Sequence, residues 1–145
     1  MRKVIFLDID GVLNSYRSCT AYGAYPMDNK SAEKFDEIAV NLIRVACKKC
    51  NAEIILSSTW RCDKNWENLA QTLDLPIVDR TPQTLSGDRT HEIRSWLEDN
   101  AVFEYVIVDD NFINLENFVH TDAEEGLSYK DYKKILRVLG EEPNE

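Results

Sequence analysis

The sequence predicts an α/β fold in which helices cover both faces of a doubly wound parallel sheet. Short apolar runs alternate along the chain with longer segments of helical periodicity, and several of the runs end in acidic or hydroxyl residues. Strands separated by helices favour parallel pairing with right-handed crossovers. The absence of a Pro/Gly/Ser-rich linker or an internal repeat in 145 residues predicts one domain spanning 1–145.

The first strand is the most informative element. Residues 4–7 form a continuous apolar run, typical of a buried strand in a parallel sheet. Asp8 and Asp10 follow it directly, and Gly11 supplies a turn. Ligands bind at the carboxyl ends of strands in open α/β sheets, so these acids are expected in an active site. Two carboxylates so close together favour a hard divalent cation as a partner.

The other elements are predicted from periodicity and end signals. A helix over 31–50 is expected to bury the stripe Phe35, Ile38, Leu42, Val45 and Ala46. The remaining predictions are a strand at 52–56, a helix around Trp66 to Leu73, a strand at 75–78, a helix at 90–100, a strand at 105–108, an edge strand at 117–120 and a closing helix at 128–139 with a Ser128/Asp131 capping box.

Two further strands end in polar clusters. Ser57 and Ser58 follow the strand at 52–56, and Asp109 and Asp110 follow the strand at 105–108. Arg89 lies just ahead of a predicted helix. Taken singly, these residues could be strand ends, helix caps or solvated charges. Their ordered recurrence at the ends of successive elements favours a shared site.

In this order the motifs resemble those of the haloacid dehalogenase (HAD) superfamily of phosphohydrolases. Residues 8–14, DIDGVLN, resemble the first motif. The resemblance implies that Asp8 is a nucleophile that forms an aspartyl-phosphate and that Asp10 is the general acid and base. Dehalogenases and phosphonatases of the superfamily lack an acid at the position of Asp10, so the resemblance favours a phosphatase.

The resemblance also implies the ligands of the site. Ser57, with Ser58 beside it, and Arg89 would bind the phosphoryl oxygens. Mg²⁺ would be held by the side chain of Asp8, the backbone carbonyl of Asp10 and Asp109, with Asp110 as the second choice for the last position.

One departure concerns the third motif. Where the family more often has Lys, this chain offers Arg89, and four other cations compete with it. They are Arg61, Lys64, Arg80 and Arg94.

The spacing leaves no room for a separate cap domain. Residues 14–30 allow only a small flap, so the catalytic centre is expected to be open. Uncapped relatives often act on phosphoproteins or nucleic-acid ends, and residues 121–128 resemble uncapped members found in phage and in RNA-repair proteins. The expected function is therefore hydrolysis of an accessible or macromolecular phosphate, with a small phosphometabolite as an alternative substrate. Tyr16, Tyr22, Tyr25 and Trp60 are expected to shape substrate access or to pack the flap.

The composition limits the partners. A net charge of −9 disfavours strong nonspecific binding to nucleic acid and to anionic membranes, and it favours a broad phosphomonoesterase over a dedicated nucleic-acid repair enzyme. No signal peptide or span of about 20 apolar residues is apparent, so a cytoplasmic protein is expected. Cys47 and Cys50 are expected to be reduced thiols, because they fall at a predicted helix C-terminus and lack a second cysteine pair for zinc.

Two other classes remain open. A response-regulator receiver shares the architecture and the aspartyl-phosphate, but its acidic pair follows the first strand and its phosphorylated Asp follows a middle strand, the reverse of the order here. A catalytically inactive binding module on the same fold is the second alternative. The presence of both Asp8 and Asp10 argues against it.

Overall fold

A computed structural model of the chain describes residues 2–23, 35–62, 66–102 and 104–143. Its sheet has five parallel strands in the order β3-β2-β1-β4-β5. The strands are β1 Lys3–Leu7, β2 Ala52–Leu56, β3 Ile77–Arg80, β4 Glu104–Asp109 and β5 Phe118–His120. This arrangement confirms the predicted doubly wound parallel sheet. The first strand lies at its centre, flanked by the two strands that end in the other polar clusters.

Successive side chains of the central strand enter two separate cores. Ile5 and Leu7 pack in the larger cluster, and Val4 and Phe6 pack in the smaller one on the opposite face. All four are fully buried. A strand covered on both faces has no position for a polar side chain, which explains the continuous apolar run in the sequence.

Five helices are present in the described part of the chain. They are α1 Tyr16–Tyr22, α2 Glu37–Cys50, α3 Trp66–Leu73, α4 Arg89–Asp99 and α5 Tyr129–Val138, with a 3-10 turn at Thr59–Cys62. Side chains from α2, α3 and α5 line the larger core, and those from α4 line the smaller one. The predicted capping box of the last helix is present, with Ser128 Oγ accepting from the Asp131 backbone and Asp131 accepting from the Ser128 backbone.

Helix α2 differs from its prediction in both start and face. It begins at Glu37, because the Asp36 carboxylate caps it by accepting from the backbone of Ile38 and Ala39. The predicted stripe is wrong at Ile38 and Val45, whose side chains are 71% and 44% exposed. The buried face consists of Ala39, Val40, Ile43, Ala46, Cys47 and Cys50. Ala46 is on this face as predicted and Leu42 packs against its edge, but small residues and cysteines form much of the rest, which bulk hydrophobicity does not identify.

The remaining differences are local. The third strand begins two residues later than predicted, since Leu75 still donates its backbone N–H to Ala70 at the end of α3. The predicted flap contains α1, which the sequence prediction missed. The rest of that flap and the predicted start of α2, residues 24–34, lie outside the described residues. Within the described ranges no helix is long and apolar enough to cross a bilayer.

Candidate active site

The candidate site lies at the carboxyl ends of the three central strands. Asp8 follows β1, Ser57 follows β2, and Asp109 ends β4. Backbone hydrogen bonds continue the sheet past the strand ends, from Ser57 to the Leu7 carbonyl at 2.9 Å and from Asp8 to the Val108 carbonyl at 3.0 Å. The parallel register therefore brings together polar residues that are about fifty residues apart in the sequence.

Three carboxylates converge at this edge. One oxygen from each of Asp8, Asp109 and Asp110 lies within 4.8 Å of the others. Asp8 and Asp109 are buried and Asp110 is half-buried. Backbone N–H groups also fix the first two, because Ile9 donates to Asp8 Oδ1 and Asn111 donates to Asp109 Oδ1, each at 2.9 Å. The cluster contains three of the four predicted metal-binding residues.

Gly11 allows Asp110 to join the cluster. Its φ of +83° lies in the left-handed region, and a Cβ atom there would lie 2.3 Å from Asp110 Oδ2. A side chain at this position would therefore collide with the carboxylate as well as strain the backbone. Thr121 holds the same turn from the far edge of the sheet, since its hydroxyl donates to the Gly11 carbonyl at 2.9 Å.

Arg89 supplies positive charge to the acidic cluster. It is the first residue of α4, which Asp88 caps by accepting from the Thr90 backbone. Its Nη1 lies 2.8 Å from Asp109 Oδ2 and 3.4 Å from Asp8 Oδ2.

The structure describes the side chains of two of the four competing cations. Arg80 lies over the ring of Trp66, and Arg94 is exposed on the helix. The side chain of Arg61 and all of Lys64 lie outside the described residues. Arg89, the first choice for the third-motif cation, therefore lies in direct contact with Asp8 and Asp109.

Burial and mutual repulsion dominate the electrostatics of the site. Burial, followed by the charge of Asp109, raises the pKa of Asp8 to about 9, although Arg89 opposes the shift. Burial also raises the pKa of Asp109, against the lowering effect of Arg89. Burial alone would lower the pKa of Arg89, but Asp8 and Asp109 outweigh it and keep the guanidinium charged. Burial and the neighbouring carboxylate thus outweigh the single guanidinium in setting the pKa of Asp8.

The donor set fits a divalent metal ion. Carboxylate oxygens are the ligands that Mg²⁺ prefers, and the cluster of Asp8, Asp109 and Asp110 offers one from each residue within the span of a single ion. A cation would also offset the repulsion that raises the pKa of Asp8. The site is therefore compatible with Mg²⁺.

The hydroxyls after β2 have different environments. Ser57 is 1% exposed, and its Oγ has no hydrogen-bond partner among the described residues. A buried hydroxyl without a partner is costly unless a ligand satisfies it. Ser58 is equally buried, but its Oγ accepts from the Trp60 backbone at 3.3 Å. Ser57 is therefore the better placed of the two for a phosphoryl oxygen.

Asp10 stands apart from the other acids. It is exposed, and its side chain does not belong to the three-carboxylate cluster. Asn14 Nδ2 donates to Asp10 Oδ1 at 2.9 Å, and the Trp60 indole Nε1 lies 3.3 Å from Oδ2 and 3.4 Å from Oδ1. The structure therefore separates the predicted acid from the predicted metal-binding side chains.

Sequence reasoning missed several supporting residues. It assigned Trp60 to substrate access or flap packing, whereas the structure puts its indole N–H on Asp10. It gave no role to Thr121 or His120, which bond the Gly11 and Asp110 carbonyls. Both lie at the end of β5, where polar residues resemble any surface strand. No local pattern distinguishes them.

The fold and the arrangement of motifs define an HAD-type hydrolase domain. The family model for the HAD domain in Swiss Army Knife RNA repair proteins matches residues 4–132, and the chain belongs to this family. No curated protein and no solved structure gives a significant match to the chain. The family assignment therefore rests on the family model, with which the fold agrees.

Proposed function

We propose that the protein is a Mg²⁺-dependent phosphomonoesterase that acts through an aspartyl-phosphate on Asp8. The observation that carries the proposal is the convergence of Asp8, Asp109 and Asp110 within 4.8 Å at the strand ends, with Arg89 against two of them. This combination offers a nucleophile, a metal site and a cation in one place. An inactive binding module would have no need for it.

In the first step a carboxylate oxygen of Asp8 attacks phosphorus and the bond to the leaving oxygen breaks. Asp10 gives its proton to that oxygen, so an alcohol departs and Asp8 carries the phosphoryl group. The buried Ser57 hydroxyl donates to a phosphoryl oxygen and thereby gains the partner that it lacks among the described residues. The Arg89 guanidinium offsets the charge on the same group.

In the second step water attacks the phosphorus of the aspartyl-phosphate. Asp10, now a carboxylate, takes a proton from that water, and the bond from phosphorus to Asp8 breaks to release inorganic phosphate. Mg²⁺, held by Asp8, Asp109, Asp110 and the backbone carbonyl of Asp10, would neutralise charge between the nucleophile and the phosphate. Each residue returns to its starting protonation state.

The proposed substrate is a phosphate at a nucleic-acid end. The family is that of HAD domains in RNA repair proteins, which supports this class over phosphoproteins and small metabolites. The described residues contain no separate cap domain, so a large substrate could reach Asp8. The net charge of −9 by itself favours a broad phosphomonoesterase, and the family match is the reason for preferring a nucleic-acid end despite that charge.

The chemistry is tested with an aryl phosphate. The wild-type protein with Mg²⁺ should release phosphate, EDTA should stop it, and Asp8→Asn should abolish turnover because an amide cannot form the acyl phosphate. Rapid acid quench of a ³²P-labelled substrate should trap label on the wild type but not on Asp8→Asn. Turnover that survives EDTA or Asp8→Asn would refute the proposal.

The substrate class is tested with a panel of 3′- and 5′-phosphorylated oligonucleotides, phosphopeptides and sugar phosphates. We expect kcat/KM to be highest for one of the oligonucleotide ends. A preference of about a hundredfold for a sugar phosphate, which is about 2.7 kcal/mol of transition-state binding, would contradict a macromolecular substrate while leaving the chemistry intact.

A further inference from the structure

The proposed mechanism requires the exposed carboxylate of Asp10 to meet a leaving oxygen, and the backbone alone does not direct it there. The turn after β1 is fixed by Gly11, whose φ is +83°. The Asp10 side chain projects from that turn into solvent and lies outside the buried cluster. A general acid must stay within hydrogen-bond reach of the atom that it protonates. Side-chain contacts must therefore hold it.

Asn14 supplies the first contact, and its own amide is fixed. The side chain is 1% exposed, and its Oδ1 accepts from the Gly11 backbone N–H at 3.0 Å. An oxygen must face that N–H, so the Nδ2 group is directed to Asp10 Oδ1, 2.9 Å away. The amide thus bridges the turn and the carboxylate that the turn carries.

Trp60 supplies the second contact from a different strand end. Its indole N–H, which can only donate, lies 3.3 Å from Asp10 Oδ2. Its backbone N–H donates to Ser58 Oγ at 3.3 Å, and its ring packs at 5.6 Å on Phe35, which is fully buried. The residue is therefore held at both its backbone and its ring.

The geometry points to Trp60 and Asn14 as positioning residues that aim the Asp10 carboxylate at the leaving oxygen. Ser57, the proposed phosphate-binding hydroxyl, lies three residues before Trp60 in the same turn after β2. The same turn thus binds the phosphoryl group through Ser57 and holds the Asp10 carboxylate through Trp60. It therefore fixes the distance between the phosphoryl group and the acid. The inference rests on the proposed function, since it assigns Trp60 and Asn14 to the acid of that reaction.

The kinetic test uses Trp60→Phe, which keeps an aromatic ring against Phe35 and removes the N–H. When the acid is misplaced, proton transfer to the leaving oxygen is less effective, and this slows the release of a poor leaving group more than the release of a good one. We therefore expect kcat/KM, which covers only the steps up to release of the alcohol, to fall about tenfold for an alkyl phosphate and about twofold or less for p-nitrophenyl phosphate. Asn14→Ser should give the same asymmetry. Trp66→Phe, a matched change on α3 where the ring contacts Arg80, should alter neither rate.

A spectroscopic test does not depend on turnover. The ¹⁵N-labelled protein without metal has three tryptophans, and Trp60→Phe identifies the indole resonance of Trp60. Asp10→Ala should move that resonance upfield through loss of the acceptor, and Asp10→Asn, which retains an oxygen, should move it less. The other two indole signals should stay in place.

The outcomes separate the two proposals. If the Trp60 indole resonance does not move in Asp10→Ala, the proposed hydrogen bond from Trp60 to Asp10 is wrong, whatever the activity of the variants. If the resonance moves but Trp60→Phe lowers kcat/KM equally for aryl and alkyl phosphates, the positioning role is overturned and the phosphatase proposal stands. A wild-type protein without any turnover overturns the proposed function and the positioning role with it.

Discussion

A Cβ atom on Gly11 would lie 2.3 Å from the Oδ2 atom of Asp110. The glycine within the first motif therefore makes room for a carboxylate of the last motif, although the two residues are 99 positions apart, from 11 to 110. The familiar reason for glycine in such a turn is its positive φ of +83°. Here the close approach of Asp110 is a second, steric reason for glycine at this position.

Gly11→Ala should consequently damage both stability and metal binding. We expect the free energy of unfolding to fall by about 1–3 kcal/mol from overpacking, in addition to the cost of backbone strain. Because Asp110 must move, we also expect the affinity for Mg²⁺ to fall by about tenfold or more. Urea unfolding and the Mg²⁺-induced rise in melting temperature measure the two effects.

Gly23→Ala is the matched control. Gly23 has nearly the same φ, +82°, but no atom of the described residues lies within 4 Å of the place that its Cβ would occupy. We therefore expect backbone strain to lower the free energy of unfolding by only about 1 kcal/mol and the affinity for Mg²⁺ to be unchanged. Equal effects of the two variants would show that the approach of Asp110 is unimportant.

Ser57→Ala should separate function from stability. The hydroxyl is buried without a partner among the described residues, so its removal should leave the free energy of unfolding unchanged or raise it by up to about 1–2 kcal/mol. If the hydroxyl binds phosphate, kcat/KM should still fall by about tenfold to a hundredfold. Ser58→Ala, which loses the contact to Trp60, should instead be mildly destabilising. Chemical denaturation and steady-state kinetics test this, and undiminished activity in Ser57→Ala would contradict its phosphate role.

Arg89→Met should leave Asp8 and Asp109 without their cation. In EDTA we expect the free energy of unfolding to fall by about 1–3 kcal/mol, because the buried carboxyls lose a charged partner. Protonation of the carboxyls offsets part of this loss of stability. Added Mg²⁺ should restore part of that stability, whereas activity should remain about a hundredfold lower. Arg89→Lys keeps the charge and should be the milder variant in both assays. A methionine variant with wild-type activity would exclude Arg89 as the phosphate-binding cation.

Cys47 and Cys50 should be inert in the folded protein. Both are buried at the end of α2, and burial raises the pKa of the Cys47 thiol to about 12. At pH 8 only about one Cys47 thiol in ten thousand is then ionised, and the thiolate is the reactive form. Mass spectrometry after brief maleimide treatment should therefore find these two unmodified until the protein is unfolded.

The same shift has a defined effect on stability. The folded thiol of Cys47 holds its proton more tightly than an unfolded one with the ordinary value of 9.0, so its contribution is intact below pH 9 and declines as the pH rises towards about 12. Cys47→Ala should reduce that alkaline loss of stability. Rapid labelling of native Cys47, or a disulfide to Cys50, would revive a redox role for the pair.

The sequence by itself determined the order of the five strands and of helices α2 to α5, but not α1, and it identified the residues that end the central strands. Burial on both faces leaves a continuous apolar run, and a polar residue directly after such a run marks the strand end, so Asp8, Ser57 and Asp109 could be found locally. Periodicity failed on α2, where small side chains and cysteines face the core and Ile38 is exposed.

Only the tertiary structure decided which distant side chains meet. It placed Arg89, among the described cations, on the acids, brought Asp110 over Gly11, and set the indole of Trp60 on Asp10. Such contacts join residues roughly 20 to 100 positions apart, and they depend on how loops leave the sheet and on side-chain packing. Local propensity and periodicity act over only a few residues, so they fix the elements and leave these pairings to the assembled fold.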